Sequence, residues 1–252
     1  MRIKDIRDAY SSGKKEEDKG DLWLYYVVRR ISFYPTWLFL RLGISANQAT
    51  YISIVIGVIG CGLLAFGDYN VRVVGALLAN SWIILDCVDG NISRFKKTSS
   101  HYGELIDAIS GYLMNGYLFL SVGIGACIHI EPSFGLVSQF FHINLNESIL
   151  IILGAWASLA IILPRLIYQK FMNTFPEARN AGIKPGAKHS KGAYHLGYRV
   201  IHNVTSFSGF LTPLLLFASI FELLSVFTLF YALLNTGVLI ITTGRIILNG
   251  RC

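Results

Sequence analysis

Charge is scarce in this sequence: Asp, Glu, Lys and Arg together make up 15% of the 252 residues, against 53% hydrophobic. A soluble domain of this length carries nearer a quarter charged residues. The deficit is arranged in blocks, with long stretches that hold no charge at all. A helix needs about 20 apolar residues to cross roughly 30 Å of hydrocarbon, so such blocks read as membrane spans. Cysteine is also sparse. Cys61, Cys87, Cys127 and Cys252 form no CxxC and sit mostly inside apolar blocks, which excludes a disulfide framework and a zinc site and reads as small core residues. No apolar core precedes a small-residue cleavage site in residues 1–20, so a cleaved signal peptide is not expected.

What charge there is leans positive, +7 at neutral pH. No nucleic-acid-binding motif accompanies it, and the placement of the basic residues has a simpler cause. The apolar blocks predict six spans, near 47–66, 71–92, 103–129, 148–170, 207–223 and 225–246. Residues 21–42 mix aromatics with arginine (Trp23, Tyr25, Tyr26, Arg29, Arg30, Trp37, Arg41), the pattern of a helix lying in the headgroup region; residues 1–20 are polar and expected to lie on the membrane surface or move freely. If the N-terminus is cytoplasmic, every Lys and Arg except Arg72 falls on the cytoplasmic side. The positive-inside rule then selects a topology with both termini inside, and the same charges meet anionic lipid headgroups. The expected fold is therefore an all-α integral membrane protein: a tail and interfacial helix over residues 1–46, then six transmembrane helices over 47–252.

Acids are nearly absent from the membrane blocks, and the exceptions cluster. Asp86 and Asp89 lie near the end of the second span, Glu104 and Asp107 at the start of the third. A buried carboxylate costs several kcal/mol unless it is paired or ligates a cation. Residues three apart on a helix share a face, and the short loop between the spans brings the two faces together at similar depth. Converging carboxylate oxygens form a hard site that suits Mg2+ or Mn2+. Arg94 and the adjacent lysines offer charge to phosphate oxygens, and Gly90 leaves room for a flat ligand. Together these are the means of binding and polarising a diphosphate.

The residues resemble a known family at this point. The CDP-alcohol phosphotransferases carry D-x2-D-G-x2-A-R-x8-9-G-x3-D-x3-D, and this chain runs Asp86, Asp89, Gly90, Ser93, Arg94, Gly103, Asp107 and Gly111 at the same spacing, six of the eight fixed positions matching. The run from Gly43 to Thr50 is similar to the family's G-[LI]-[ST]-P-N-Q-x-T at the start of its first span. An interfacial helix followed by six spans is also the family's architecture. The resemblance implies that Asp86, Asp89 and Asp107 bind one or two divalent metals, that Gly90 and Ser93 adjoin cytidine, that Arg94 contacts phosphate, and that Gly103, Asn47 and Thr50 belong to the donor site. It implies a CDP-linked donor (CDP-diacylglycerol or a CDP-alcohol), an alcohol or lipid acceptor, release of CMP in phospholipid or related lipid synthesis, and a homodimer. The Gly103–Asp107 run looks like the choline/ethanolamine branch; the short chain is typical of bacterial and archaeal membrane enzymes, with the site facing the cytoplasm.

The departure is Gly111, where the family has a fourth aspartate assigned as the base. Glu104, one turn before Asp107, and His101 in the adjacent loop are the candidate replacements. Alternatively the acceptor needs no strong base, or the protein is a catalytically impaired scaffold or CDP/lipid binder. A transporter is disfavoured, because the acids gather at one face instead of along a path. Among the remaining groups, Arg165 is a candidate for acceptor phosphate, with Lys184, Lys188 and Lys191 in a basic loop that either caps the site or is merely solvated. His189, His195 and His202 lack zinc-ligand spacing and read as surface or interface histidines. Glu222 reads as an interfacial acid, and Asn146-Glu147-Ser148 fits a glycosylation sequon that abuts a span.

Overall fold

The structure, a computed structural model, describes residues 2–141, 146–175 and 193–249, with the backbone alone for Phe141, residues 193–196, Tyr198 and Asn249. Lys184, Lys188, His189, Lys191 and Cys252 lie outside the described residues, as does the side chain of His195. All regular structure among the described residues is helical. Two short helices, α1 (Ile3–Asp8) and α2 (Ser12–Asp18), precede a π-turn over Leu24–Val28 that runs into α3 (Arg29–Arg41). The long helices follow: α4 (Ala46–Phe66), α5 (Tyr69–Lys96) and α6 (His101–Ile128), then short α7 (Phe134–Phe141), long α8 (Ile149–Thr174), α9 (Ala193–Thr205), α10 (Leu211–Ile220) and α11 (Leu224–Asn249).

Five of these, α4, α5, α6, α8 and α11, are long and apolar enough to cross a membrane, and their ends fall within a few residues of the blocks expected from hydropathy. The segment expected as a span over 207–223 takes a different form. It is the ten-residue α10, about 15 Å long at 1.5 Å per residue, which is half the hydrocarbon thickness. The chain breaks at 206–210, where Phe210 N bonds back to the Asn203 carbonyl at 2.5 Å and the Asn203 side chain is tied to Leu22 N and the Gly20 carbonyl. A left-handed Glu222 (φ 53°) closes the other end.

Sequence-local signals set the helix boundaries at the end of the bundle that matters. Ser45 caps α4 reciprocally with Gln48, and Ser100 caps α6 by accepting from Gly103 N at 3.1 Å, each satisfying donors the first turn leaves open. Lys97 ends α5 in the left-handed conformation (φ 55°). Because α5 and α6 each have 28 residues, they are roughly 42 Å long and overrun the hydrocarbon. Their joined ends can therefore carry polar groups near the headgroups.

Close helix approach holds the bundle together, since lipid tails are as apolar as leucine and burial alone gives little drive. At the α4–α5 crossing, a Cβ on Gly75 would stand 2.8 Å from the Gly60 carbonyl oxygen, and a Cβ on Gly154 would stand 2.5 Å from the Phe119 carbonyl oxygen at α6–α8. Between them lies a core of Trp82, Met114, Leu118, Phe119, Leu150, Leu211, Phe227 and Tyr231. Val55, Ile59, Leu77, Ile152, Leu159 and Ile240 point outward, as a lipid-facing surface requires.

The first twenty residues are not a loose tail. Tyr10 and Arg29 close on Asp18, which is 1% exposed: Tyr10 Oη donates to Asp18 Oδ2 at 2.6 Å, and the Arg29 guanidinium reaches the same oxygen at 2.6–2.8 Å. Burial, helped by Asp18, pushes the Tyr10 phenol well above its ordinary range. Arg29 is thus buried and paired, in contrast to the lipid-phosphate role its place in an interfacial helix suggested; Arg30 beside it is exposed, and Arg41 stacks on Trp37 at 4.0 Å. At the other end of the bundle Arg72, 4% exposed, pairs with Glu131 at 2.8 Å, whose second oxygen accepts from Ser133 Oγ and Ser225 N.

Candidate functional site

Asp86 and Asp89 leave the last turns of α5 on one face, and Asp107 meets them from the second turn of α6. One carboxylate oxygen from each lies within 4.8 Å of the others. Thr50, on α4 and 3% exposed, donates from Oγ1 to Asp89 Oδ2 at 2.6 Å. Three helices thus contribute to the cluster. Among the described residues, no Lys, Arg or His forms an ion pair with any of the three carboxylates. Three hard oxygens at this spacing fit a divalent Mg2+ or Mn2+ ion.

The carboxylates stand between two hollows. The smaller, of about 130 Å3, is lined by Ala46, Asn47, Thr50, Asp89, Gly90, Ser93, residues 98–100, Gly103, Glu104 and Asp107. It opens at the first turns of α4 and α6, where backbone N–H groups and the helix dipole favour an anion. Glycine at 103 lets Asn47 approach: a Cβ there would stand 3.2 Å from Asn47 Oδ1. At Gly90 a Cβ would stand 3.0 Å from Arg94 Nη2, so the Arg94 guanidinium occupies the space a side chain at 90 would take; Arg94 is not among the residues lining the two hollows. Its position is fixed by Asn91 Oδ1, which accepts from Arg94 Nη2 at 2.9 Å and from Arg29 Nη1 at 3.3 Å. Asn91 Nδ2 in turn donates to Ser32 and Thr36. The interfacial helix α3 therefore positions the phosphate-binding candidate through one buried asparagine. Arg94 Nε remains buried with no hydrogen-bond partner, a donor still to be used.

The larger hollow, about 550 Å3, lies on the other side. Trp82, Asp86, Asp107, Gly111, Tyr112, Asn115, Arg165, Tyr168 and Gln169 line it, together with Asp21, His202 and residues 206–208. Asp89 faces only the small hollow and Asp86 only the large one, while Asp107 borders both. Gly111 leaves space in the wall: the nearest atom to a Cβ there is Arg165 Nη1 at 3.9 Å. Trp82 is fixed by donating from Nε1 to Ser110 Oγ at 3.0 Å and by edge contact with Phe207 at 4.9 Å.

The donor-site residues expected from sequence (Asn47, Thr50, Gly90, Ser93, Gly103) and the three aspartates are thus brought together. The two candidate bases are not brought to the large hollow. Glu104 lines the small one, and His101 projects into solvent, 3.7 Å from Glu104. Sequence reasoning kept Arg165 as a candidate, read His202 as a surface or interface histidine and did not single out Asp21; all three line the large hollow. The only advance signal of Asp21 and His202 was residue type, because they lie some 65 residues or more from the aspartates along the chain.

Fold and site together define a polytopic membrane protein whose carboxylate centre stands between a small hollow at two helix N-termini and a wide one. The model of the CDP-alcohol phosphatidyltransferase family matches residues 44–230, about three quarters of the chain, and the protein belongs to that family. No curated protein matches the chain. The family consists of transferases that pass a phosphate-linked group from a CDP-alcohol to an acceptor, typically with a divalent metal.

Proposed function

We propose that this protein is an active transferase that moves a substituted phosphate from a CDP-linked donor to an alcohol acceptor and releases CMP. The observation that carries the reading is the carboxylate cluster bridging two hollows of unequal size. Asp86, Asp89 and Asp107 would hold Mg2+ or Mn2+, which when bound supplies positive charge against the donor diphosphate. Asn47, Thr50, Gly90, Ser93 and Gly103 form the small hollow for the nucleotide end. There the first turns of α4 and α6 direct backbone N–H groups at phosphate oxygens, and the Arg94 guanidinium lies over Gly90 beside them. Thr50 keeps one Asp89 oxygen turned into the cluster. The large hollow takes the acceptor, whose oxygen reaches phosphorus from the side of Asp86 opposite the nucleotide, and Arg165 offers it a fixed cation.

The distribution of Lys and Arg supports a site on the cytoplasmic face with both termini inside, and the resemblance to short six-span members of the family supports a bacterial or archaeal membrane. We treat residues 1–46 as the interfacial unit and 47–252 as the membrane unit of a homodimer, in keeping with the family resemblance. The donor is either CDP-diacylglycerol, with a small polar acceptor, or a CDP-alcohol, with a lipid acceptor.

The test is CMP release by purified protein in lipid nanodiscs, with Mg2+ or Mn2+, over CDP-diacylglycerol and a set of CDP-alcohols. Metal-dependent CMP release from one donor class is expected. If CDP binds and no donor releases CMP, the protein is the impaired binder that Gly111 also allows.

A further inference from the structure

Arg94, the cation offered to donor phosphate, is held by a chain of contacts that begins in the first twenty residues. Its Nη2 donates to Asn91 Oδ1 at 2.9 Å, and Arg29 Nη1 donates to the same oxygen at 3.3 Å. Two cations therefore meet at one neutral acceptor. Arg29 continues to Asp18, whose Oδ2 accepts from Nε at 2.8 Å and lies 2.6 Å from Nη2. Tyr10 Oη donates to that oxygen at 2.6 Å, and Lys14 Nζ stands 3.4 Å from Asp18 Oδ1.

Asn91, 3% exposed, is oriented from its other end. Its Nδ2 donates to Ser32 Oγ at 3.1 Å and to Thr36 Oγ1 at 3.2 Å. Each hydroxyl donates its own hydrogen to a backbone carbonyl, Ser32 to Arg29 and Thr36 to Ser32, so each is left to accept from the amide. Turning the amide round would set its oxygen against two hydroxyl lone pairs and its NH2 against two guanidinium groups. Oδ1 is thus committed to the arginines.

The charges are ordered along the same chain. Asp18 is 1% and Arg29 5% exposed, and a buried ion pair that loses one partner leaves an uncompensated charge. With Asp18 in place, Arg29 is neutralised and Arg94 keeps its bond to Asn91. Without it, two guanidinium charges compete for one oxygen where little water screens them. Among the described residues Arg94 itself forms no ion pair, and its Nε has no hydrogen-bond partner, so its charge stays available to an anion.

We propose that Asp18 is a positioning residue of the donor site, acting through Arg29 and Asn91 to hold the Arg94 guanidinium over Gly90 for donor phosphate. The assignment rests on the donor reading above, in which Arg94 meets phosphate. It makes the short helix α2 a working part of the site, although Tyr10, Asp18, Arg29, Ser32 and Thr36 all precede residue 44, where the match to the family model begins.

The experiment is calorimetric titration of CDP, in Mn2+, into wild type, Asp18→Asn, Arg94→Gln and the double variant in nanodiscs. CMP release is measured alongside over CDP-diacylglycerol and a set of CDP-alcohols. Asp18→Asn keeps the shape and removes the charge. Kd for CDP should rise about 10-fold or more, the scale of a hydrogen bond to a charged group, and donor KM with it, while acceptor KM stays put. In the Arg94→Gln background the same substitution should change Kd by less than about 2-fold, because the residue it acts through is gone. If Asp18→Asn does not fold, Arg29→Lys reads the same link. It keeps a charge but loses the planar fork that reaches Asp18 and Asn91 at once, and the same dependence on Arg94 is expected. A Kd within about 2-fold of wild type in the variant that folds, or an equal loss with and without Arg94, overturns the assignment and leaves the transfer reading intact. Failure of both variants to fold assigns the network to stability and overturns it as well. A wild type that binds CDP and releases no CMP overturns the transfer reading alone, the link from Asp18 to Arg94 still being read from Kd. A wild type that does not bind CDP overturns both.

Discussion

The two hollows beside the carboxylates differ in how the chain builds them. The small one is assembled from three short stretches, 46–50, 89–93 and 98–107, each at the end of a long helix and each with its cap or glycine in sequence register. The large one draws on residues 21, 82–86, 107–115, 165–169 and 202–208, scattered over five segments. A site made of helix ends in consecutive spans is visible as a gapped motif. A site made where a tail, a helix terminus and a broken helix meet has no spacing to recognise. On the proposed function the contrast is between a nucleotide site and an acceptor site, and Gly111 leaves space in the wall of the second.

The comparison can be broken at the wall the two hollows share. Replacing Asp89 by Asn removes a charge from the cluster while keeping shape. CMP release should fall by a thousandfold or more, on the order of the loss expected when electrostatic stabilisation of a phosphoryl transfer is removed, and excess Mn2+ should not restore it. A smaller effect is expected one shell back. Thr50→Val deletes the 2.6 Å hydrogen bond to Asp89, and partners of metal ligands are typically worth 10–100-fold; the metal concentration for half-maximal rate should rise by about that factor. Gly90→Val fills the small hollow against Arg94, so donor KM should rise about 10-fold or more while acceptor KM stays put, given that overfilling a packed site costs roughly 1–3 kcal/mol. Arg165→Lys should give the mirror result, with acceptor KM raised several-fold and donor KM unchanged, because a lysine keeps the charge but loses the planar fork. If Arg165→Lys instead changed donor KM, the two hollows would not be separate sites.

Much of the fold was legible because hydropathy and capping agree in α4, α5, α6, α8 and α11. Ser45, Asp68 and Ser100 start helices where the apolar blocks begin, and the block ends follow. The segment around 207–223 has the apolar content of a span but only a ten-residue helix: it runs from Phe207 and Ser208 at the large hollow to Ser225 beside Glu131 at the opposite end of the bundle, and the backbone break that shortens its helix has no local signature in the sequence. Arg29 misled for a related reason. Arginine beside aromatics is the composition of a headgroup anchor, and only the fold reveals Asp18 within 2.6 Å. The aspartates were readable for the opposite reason: acids are so costly inside apolar helices that three of them at helical spacing have few explanations.

The central claim is that Asp86, Asp89 and Asp107 form a cation-dependent diphosphate site. Calorimetric titration of the purified protein with a CDP-linked donor, in Mn2+ and again in EDTA, tests it most directly, with Asp89→Asn as the paired sample. The account predicts saturable binding in Mn2+ that is lost in EDTA and in Asp89→Asn. Donor binding of equal strength in EDTA, or in Asp89→Asn, would contradict it.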